Sequence, residues 1–410
     1  MKILVIGAGY VGLASAVGWA LQGHQVSLVE KDQSLASQLA AGKASFFDPF
    51  LAAKLSEVLG SHSLVVSSDQ QGLGEFDALA ICVGTPMKSD GNFDLTEVSR
   101  VLSFCEGYDG PVLLRSTVQP GFCDQWKSRV SNLIYNPEFL REGFALEDFL
   151  RPHRVVLGGA NRNSSQRVLE ELYKFVSPER ILWMSHGSAE VAKLGSNLML
   201  AARLSAMNEL SQFGSQFDVS MPAVESVIGA DPRIGNEYLK AGLGFGGPCL
   251  EKDVIAIATS LQSWGFKSDF STGVLLANEA QFARVRDGLL RISRERGWKK
   301  ILFCGVTFKK GSSDLRNSLN LRMALELKHA GLELVVYDPL AASEKLSLEG
   351  LIVANDLGLE LAKISCVVVA LPFEEVKTHL QENLGLVDVV DLCGQFPSIH
   401  QGRFWSLENL

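Results

Sequence analysis

The chain begins Met1-Lys2-Ile3-Leu4-Val5-Ile6-Gly7-Ala8-Gly9-Tyr10-Val11-Gly12, and this stretch decides the fold of its N-terminal part. An apolar run of strand length leads into a G-x-G-x-x-G turn, and a helical pattern follows directly. Without side chains in the turn, backbone N–H groups can approach a pyrophosphate at the positive end of the helix. The stretch therefore predicts a dinucleotide-binding turn, the alternative being glycines that serve tight packing alone.

The nature of the dinucleotide follows from Glu30, at the end of the second predicted strand. An acidic side chain there can accept hydrogen bonds from a ribose 2′-hydroxyl, whereas it would repel a 2′-phosphate. We therefore expect NAD rather than NADP as the cofactor.

Apolar strand patterns alternate with helical patterns through the N-terminal third of the chain. This alternation indicates a parallel sheet wrapped by helices. The predicted strands cover residues 3–6, 26–30, 64–67, 78–83 and 112–115.

A long helical pattern occupies the middle of the chain, with Ser188 as its predicted N-cap and an end near Phe217, and further helical stretches reach about Arg296. The strand-turn-helix pattern then begins again, because residues 300–305 resemble residues 2–7 and residues 330–338 resemble residues 22–30. Further strands are predicted at 366–371 and 387–392.

The fold class predicted is α/β, with two Rossmann-like doubly wound parallel-sheet domains joined by a central helical domain that contains a long helix. The predicted boundaries are 1–185, 186–296 and 297–410. The second lobe has no glycine fingerprint, since Val306-Thr307-Phe308-Lys309-Lys310-Gly311 follows Gly305. A nucleotide other than a dinucleotide is the natural ligand there, and a solvated pair of lysines is the plainer alternative.

Composition excludes several classes of partner. The 410 residues are 47% hydrophobic and carry a net charge of −8, so nucleic acid and anionic membranes are not expected partners. The first apolar run stops at the glycine turn, well short of a signal peptide or membrane span. Seven scattered cysteines without C-x-x-C spacing argue against disulfides and zinc, so we expect no metal and a cytoplasmic location.

The segment Gly242-Leu243-Gly244-Phe245-Gly246-Gly247-Pro248-Cys249 places a cysteine after flexible glycines at a predicted helix start. The helix dipole and Lys252 should favour the thiolate there. Asp253 follows one helical turn later, where a carboxylate could take a proton or activate water. Cys82, Cys304 and Cys366 lie in apolar strand runs instead and should be inert core residues.

Lys193 and Asn197 are four residues apart on the long helix and should share a face. Such a pair can offer a cation and an amide to one oxygen atom that develops negative charge. On composition alone, a surface Lys-Asn pair is the commoner explanation.

With these motifs in order, the sequence closely resembles the UDP-glucose/GDP-mannose dehydrogenase family over essentially its whole length. The likeness also rests on the following matches: Val83-Gly84-Thr85-Pro86, Ser116-Thr117-Val118, Asn136-Pro137-Glu138-Phe139-Leu140-Arg141-Glu142-Gly143, Asn208-Glu209, and Phe308-Lys309 followed by Asp314-Leu315-Arg316.

The resemblance implies a two-step oxidation of a nucleotide-sugar alcohol to a carboxylate with two successive NAD molecules. Cys249 would capture the intermediate aldehyde as a thiohemiacetal, which is oxidised to a thioester and released by water. Lys193 and Asn197 would hold the oxyanion, and Asp253 would assist proton transfer. Thr117 and Glu138 would position the water.

The resemblance also implies the binding residues and a homodimer formed through the central helices, with Arg233 acting from the neighbouring subunit. The implied NAD contacts are Gly7, Gly9, Tyr10, Val11, Gly12, Glu30, Thr85, Thr117, Glu142, Lys252 and Arg316. The implied nucleotide-sugar contacts are Glu138, Phe139, Leu140, Lys193, Asn197, Arg233, Tyr238, Gly246, Phe308 and Lys309.

Several positions depart from the family's usual residues, and they bear on the identity of the sugar rather than on the chemistry. They are Ala206, Pro248, Glu251 and residues 310–313. Leu35 is a separate departure, because the family often has a basic residue near this position, and its loss implies that one contact to a cofactor phosphate is missing. Segments 152–158 and 231–235 favour UDP-glucose as the substrate, whereas 390–394 is more typical of GDP-mannose enzymes; other UDP-sugars, including N-acetylated hexosamines, also stay open. A single-step β-hydroxyacid dehydrogenase and a non-catalytic dinucleotide sensor are the alternatives from other classes.

Overall fold

The computed structural model of the protein describes residues 1–68, 72–159, 162–217, 219–354, 357, 364–382, 387–394, 396, 403–407 and 410. Two compact units are present. The first consists of Met1–Ser196 and Thr259–Gly265, and the second of Asn197–Ala258 and Phe266–Leu410.

The first unit contains an eight-stranded sheet in the order β3-β2-β1-β4-β5-β6-β7-β8. The first six strands are parallel and have the Rossmann order, as predicted. An antiparallel pairing of Tyr135 with Gly158 then adds the last two strands. The strands are β1 Lys2–Ile6, β2 Gln25–Val29, β3 Leu64–Ser67, β4 Ala78–Ile81, β5 Val112–Leu114, β6 Leu133–Tyr135, β7 Val155–Gly158 and β8 Ile181–Met184.

Helices cover the sheet because its central strands are buried and apolar on both faces, so each face needs an apolar partner. Trp19 and Phe149, for example, meet edge to face in the core at 5.4 Å. These helices are α1 Tyr10–Leu21, α2 Gln33–Ala40, α3 Pro49–Gly60, α4 Thr96–Phe104, α5 Phe122–Trp126, α6 Ala145–Leu150 and α7 Arg162–Leu172.

The long central helix is α8, His186–Gly214. It begins earlier than predicted, because the Ser188 N–H donates to the Oγ of Ser185 at 3.2 Å. The capping serine is therefore Ser185, and the prediction of Ser188 was wrong. The helix also ends before Phe217, in a turn that follows Gly214. Two further helices come next in the chain, α9 Met221–Gly229 and α10 Leu250–Ser263, followed by α11 Asp269–Arg296.

The second unit contains a six-stranded sheet in the order β11-β10-β9-β12-β13-β14, in which all described pairings are parallel. This is again the Rossmann order, so the predicted fold class of two such domains with a central helical region is confirmed. The elements are β9 Lys300–Cys304, α12 Leu319–His329, β10 Glu333–Tyr337, α13 Ser343–Leu348, β11 Ile352–Val353, β12 Cys366–Val369, α14 Glu374–Glu382, β13 Asp388–Asp391 and β14 Phe404–Ser406.

Equivalent hydrogen bonds at the first turn of each sheet confirm the internal repeat. The Gly7 N–H donates to the carbonyl of Val29 at 2.8 Å, and the Gly305 N–H donates to that of Tyr337 at 2.8 Å. In the second sheet, Asp338 also accepts the N–H of Val306 at 2.9 Å. This bond corresponds to the one that Glu30 makes with the N–H of Ala8 at 2.8 Å in the first unit, so it belongs to the repeat.

A buried carboxylate joins the end of α11 to the sheet of the second unit. Asp388, 5% exposed, accepts hydrogen bonds from Arg296 Nε at 3.0 Å and from Trp298 Nε1 at 2.6 Å. Trp298 is itself only 5% exposed, so its indole N–H has no ready access to solvent. The cluster satisfies a buried donor and a buried charge together.

Replacing Asp388 by alanine should therefore lower the free energy of unfolding by about 3 kcal/mol, because a buried indole N–H and part of a guanidinium lose their acceptor. Chemical denaturation measures the change. Asp287→Ala is the matched control, since that carboxylate is 66% exposed in its pair with Arg286, and we expect a change below about 0.5 kcal/mol. Equal effects of the two substitutions would contradict the prediction.

Among the described helices, none combines the length with the apolar character that crossing a bilayer requires.

Candidate functional site

The glycine turn after β1 is shaped so that side chains cannot be added at two of its positions. A Cβ on Gly12 would lie 1.8 Å from the carbonyl oxygen of Gly7. Gly7 has a φ of +96°, and its Cβ would lie 2.8 Å from the carbonyl oxygen of Cys82. At Gly9, in contrast, a Cβ would meet no described atom within 4 Å, which leaves room for a ligand against the backbone.

This turn fits the pyrophosphate of a dinucleotide. Helix α1 begins at Tyr10, and Gly9 before it provides no side-chain cap, so the first N–H groups of the helix are available to an anion. Tyr10 and Val11 are half-buried beside the turn. The predicted cofactor residues between Gly7 and Gly12 therefore lie in one turn at the carboxyl end of β1.

Glu30 follows β2 directly and turns its carboxylate toward the glycine turn. Its Oε2 accepts the N–H of Ala8 at 2.8 Å, and its Oε1 accepts the N–H of Asp32 at 3.1 Å. The acidic group thus lies where a ribose hydroxyl would need an acceptor and where a 2′-phosphate would be repelled. Leu35 stands where a basic residue is usual in the family that the sequence resembles. Its N–H donates to the carboxylate of Asp32, which caps α2.

Four predicted site residues follow the carboxyl ends of neighbouring strands, which is where open α/β sheets bind ligands. Gly7 follows β1, Thr85 follows β4, Thr117 follows β5 and Glu138 follows β6. Thr85 is buried, and Thr117 and Glu138 are partly buried. Glu142, farther along the same segment as Glu138, is also partly buried.

Glu138 and Lys193 form a tight ion pair within the first unit. The Lys193 ammonium donates to the Glu138 carboxylate at 2.9 Å and to its main-chain carbonyl at 2.7 Å. The two side chains are 11% and 7% exposed. Burial by itself would raise the pKa of Glu138, but the charge and hydrogen bond of Lys193 outweigh it and hold that pKa below its usual value.

Phe139 and Leu140, the two residues after Glu138, contact the Glu138–Lys193 ion pair. The Leu140 N–H donates to the second carboxylate oxygen of Glu138 at 2.7 Å. The ring of Phe139 lies 5.3 Å from the Lys193 ammonium and 3.8 Å from the guanidinium carbon of Arg154. The predicted substrate residues Glu138, Phe139 and Leu140 are therefore brought together around Lys193.

Cys249 and Asp253 lie at the start of α10 in the second unit. Cys249 directly precedes the helix, and the N–H of Asp253 donates to its carbonyl at 3.1 Å. All seven cysteines are among the described residues, and Cys249 is the only one that is exposed. Burial raises the pKa of Cys82 to about 12 and also raises those of Cys304 and Cys366, as expected for inert core thiols.

Asn197 contacts Asp253, whose side chain is almost fully buried. The amide Nδ2 donates to Oδ2 of that carboxylate at 2.6 Å. Lys193 donates to the Glu138 carboxylate in the first unit, and Asn197 donates to the Asp253 carboxylate in the second. Lys252 lies 3.9 Å from the other oxygen of Asp253.

The glycine loop before Cys249 is held in place rather than left flexible, which corrects the expectation from its composition. Main-chain groups of the loop bond to side chains of α8 and α11 within the second unit. Asn208 accepts the N–H of Gly242 at 2.8 Å, and Gln281 donates to the carbonyl of Gly242 at 2.7 Å. Asn278 both accepts from and donates to the main chain of Phe245.

Close contacts leave no room for a side chain at two glycines of this loop. A Cβ on Gly247, with φ +82°, would lie 2.5 Å from the ring of Phe308, and one on Gly246 would lie 2.4 Å from the carbonyl oxygen of Asn317. Gly247, the neighbour of the predicted substrate residue Gly246, therefore packs against the ring of Phe308, another predicted substrate residue. Lys309 is half-buried, with its ammonium 5.4 Å from the Phe308 ring centroid.

Three predicted residues of the second unit lie at its surface. Arg233 is 87% exposed and pairs with Asp231, and Arg316 is 71% exposed and pairs with Asp314. Tyr238 adopts a left-handed φ of +60° and lines an open cavity of about 440 Å³. Their roles toward NAD or substrate stay predictions, as do the three-domain boundaries.

Several residues that organise the site were not found from the sequence. Asn278 and Gln281 on α11 hold the loop that precedes Cys249. Glu190 on α8 is fully buried and accepts the N–H groups of Gly121 and Cys123. The only sequence signal for Glu190 is its position one helical turn before Lys193.

Comparison with known proteins identifies the family of the chain. The chain matches the UDP-glucose/GDP-mannose dehydrogenase family in all three of its domains: the NAD binding domain over residues 1–177, the central domain over 187–280 and the UDP binding domain over 302–395.

Individual proteins of known sequence or structure also resemble the chain. A UDP-glucose 6-dehydrogenase from Pseudomonas aeruginosa is 33% identical over 371 residues, which cover 83% of this chain and 79% of that protein. The structure of a UDP-glucose dehydrogenase from Pyrobaculum islandicum superposes with a TM-score of 0.89 at 30% identity, over 99% of this chain and 97% of that one. A UDP-D-ManNAc dehydrogenase from Pyrococcus horikoshii shares the fold, with a TM-score of 0.85 at 22% identity over 100% and 99% of the chains. The chain therefore belongs to the UDP-glucose/GDP-mannose dehydrogenase family and is an NAD-dependent nucleotide-sugar dehydrogenase.

Proposed function

We propose that the protein oxidises the C6 alcohol of UDP-glucose to the carboxylate of UDP-glucuronate, through intermediates bound to Cys249. The observation that carries the proposal is the exposed Cys249 thiol, which ends a clamped glycine loop at the start of α10. The preference for UDP-glucose is supported by relatives of 30% identity or more whose names specify that substrate. The helix start favours a thiolate over a thiol.

The proposed reaction balances as two oxidations and one hydrolysis. NAD⁺, when bound, accepts the hydride in each oxidation. The alcohol first loses a hydride and a proton to give an aldehyde, and the Cys249 thiolate adds to its carbon. With a proton taken up on oxygen, the adduct is a thiohemiacetal.

This adduct loses a second hydride and its hydroxyl proton to become a thioester. Water then adds to the acyl carbon, the C–S bond breaks, and the carboxylate leaves as the thiolate is restored. In sum, one alcohol and one water give one carboxylate, two NADH and three protons.

The surrounding residues would supply charge and proton transfer. We assign to Lys193 and Asn197 the stabilisation of negative charge on the reacting oxygen. Each has a hydrogen-bonded carboxylate in the structure, so binding of substrate must compete for those donors. Asp253, buried one turn after Cys249, would assist proton transfer, and Thr117 with Glu138 would position the hydrolytic water.

We assign residues in each unit to binding of the UDP-sugar. In the first unit, Glu138, Phe139 and Leu140 form one cluster around Lys193. In the second, Phe308 and Lys309 follow β9, where the lysine can meet a phosphate as a point charge. The homodimer and the cytoplasmic location remain part of the proposal, and exposed apolar side chains on α8, such as Phe213 at 68%, support a contact through the central helices.

The test is to incubate the protein with NAD and a panel of UDP-glucose, UDP-N-acetylhexosamines and GDP-mannose, and to follow NADH absorbance. We expect the highest kcat/KM with UDP-glucose and two NADH for each sugar consumed. GDP-mannose belongs in the panel because residues 390–394 resemble enzymes that use it. A preference for another sugar would overturn the substrate assignment, and one NADH per sugar would overturn the thioester route.

A further inference from the structure

Glu190 is a buried carboxylate that no step of the proposed reaction uses. It lies on α8 one turn before Lys193 and has no solvent-exposed surface. Taking a carboxylate out of water costs several kcal/mol unless hydrogen bonds replace the lost solvent. A buried carboxylate is therefore expected to have a structural or functional role, and the hydrogen bonds of Glu190 indicate what that role is.

Glu190 holds the segment that follows β5. Its Oε2 accepts the N–H of Gly121 at 2.6 Å, and its Oε1 accepts the N–H of Cys123 at 2.8 Å. Short bonds from N–H groups to an ionised carboxylate are among the stronger hydrogen bonds in proteins. Gly121 has a φ of +87°, so the chain reverses where the carboxylate holds it.

The other end of the same segment is also anchored. The Ser116 hydroxyl donates to the carbonyl of Val83 at 2.7 Å, which ties the end of β5 to the residues after β4. Thr117 is therefore fixed on one side by Ser116 and on the other side by Glu190. Thr117 lies directly after the first anchored residue and four residues before Gly121.

The register of the sheet relates Thr117 to Glu138. Strands β5 and β6 are adjacent and parallel, with Leu114 opposite Tyr135. Thr117 and Glu138 each lie three residues beyond that pair. Helix α8 then holds both loops from one face, through Glu190 for the first and Lys193 for the second.

We propose that Glu190 is a positioning residue for the hydrolytic step, which fixes Thr117 relative to Glu138 by holding the segment after β5 on α8. The proposal rests on the function proposed above, in which those two residues position the water that attacks the thioester. Displacement of a positioning group by about 1 Å can cost about a hundred-fold in rate. Hydride transfer, in contrast, does not consume this water.

The test is the Glu190→Gln variant, which keeps the shape but turns an amide NH2 toward a backbone N–H. We expect kcat to fall about ten-fold to a hundred-fold, with hydrolysis becoming the slow step. Rapid mixing with NAD and UDP-glucose should then give a burst of two NADH per active site. Mass spectrometry of the acid-quenched enzyme should find Cys249 acylated by the sugar acid.

Val191→Ala is the matched control, because Val191 is the next residue on α8 and is 57% exposed. It should behave as the wild type, with no burst and no adduct. A slower Glu190→Gln enzyme without an adduct would overturn the proposal, since general damage to the fold slows every step alike.

If Glu190→Gln fails to fold, the same test can be made at the other anchor with Ser116→Ala. A folded Ser116→Ala variant that is slower but forms no adduct would also overturn the proposal. Wild-type enzyme that forms no NADH, or one per sugar, would instead refute the proposed function and with it the basis for this inference.

Discussion

Replacement of Cys249 by alanine is expected to reduce formation of the sugar acid to below about a thousandth of the wild-type rate, because removal of an enzymatic nucleophile costs at least this much. NAD binding should be unchanged, since Cys249 is not among the implied NAD contacts. The variant can still carry out the first oxidation, so at most one NADH should form for each sugar consumed. NADH absorbance together with chromatography of the sugar products measures both quantities.

A matched control for this substitution is Cys393→Ala, which removes a half-buried thiol from the same unit. It should leave acid formation intact. Iodoacetamide should likewise inactivate the wild type by alkylating Cys249, the one exposed thiol among the cysteines, all of which the structure describes. Undiminished acid formation by Cys249→Ala would refute the thioester route, whatever the substrate.

Replacement of Lys193 by methionine is expected to lower kcat about a hundred-fold to a thousand-fold, because the site loses the cation that stabilises the oxyanion. The same change should lower the free energy of unfolding by about 3 kcal/mol at neutral pH, since Glu138 is left as a buried charge without its partner. Steady-state kinetics and chemical denaturation measure the two effects.

The pH dependence of that stability loss has a definite sign. In the wild type, Lys193 holds the pKa of Glu138 below its usual value, so the pair stabilises the protein above the ordinary carboxyl pKa and ceases to do so in acid. In the variant, burial is the main remaining influence and raises the pKa of Glu138. The loss of stability should therefore be largest at neutral pH and should shrink as Glu138 becomes protonated.

The double variant Glu138→Gln with Lys193→Met separates the two effects of Lys193. A neutral glutamine needs no buried counter-charge and can still accept the N–H of Leu140, so most of the lost stability should return. Activity should not return, because the cation is still missing. A double variant as unstable as the single one would show that the pair does not account for the stability loss.

The sequence predicted the fold well because its signals are local. The glycine turn at 7–12, the alternation of strands and helices and the second copy of the pattern from residue 300 are readable from neighbouring residues. Element ends were less well predicted, as at Ser188, because a cap depends on which side chain reaches a free N–H group. The antiparallel addition of β7 was also missed, since pairing between strands is not a local property.

The sequence provided candidate site residues but not the contacts that those residues make. Cys249, Asp253, Lys193 and Asn197 were identified by spacing and by resemblance to a family. Their partners were not, because contacts such as Lys193 with Glu138 join residues far apart in the chain.

The sequence by itself determined the two Rossmann patterns, the preference for NAD at Glu30 and the cysteine at a helix start, since each depends on residue types at short spacing. Only the tertiary structure decided that the glycine loop is clamped, that Lys193 bonds to Glu138 and Asn197 to Asp253, and that Glu190 is buried. The physical reason is that burial and hydrogen-bond partnership are settled by packing between distant segments, which no local pattern specifies.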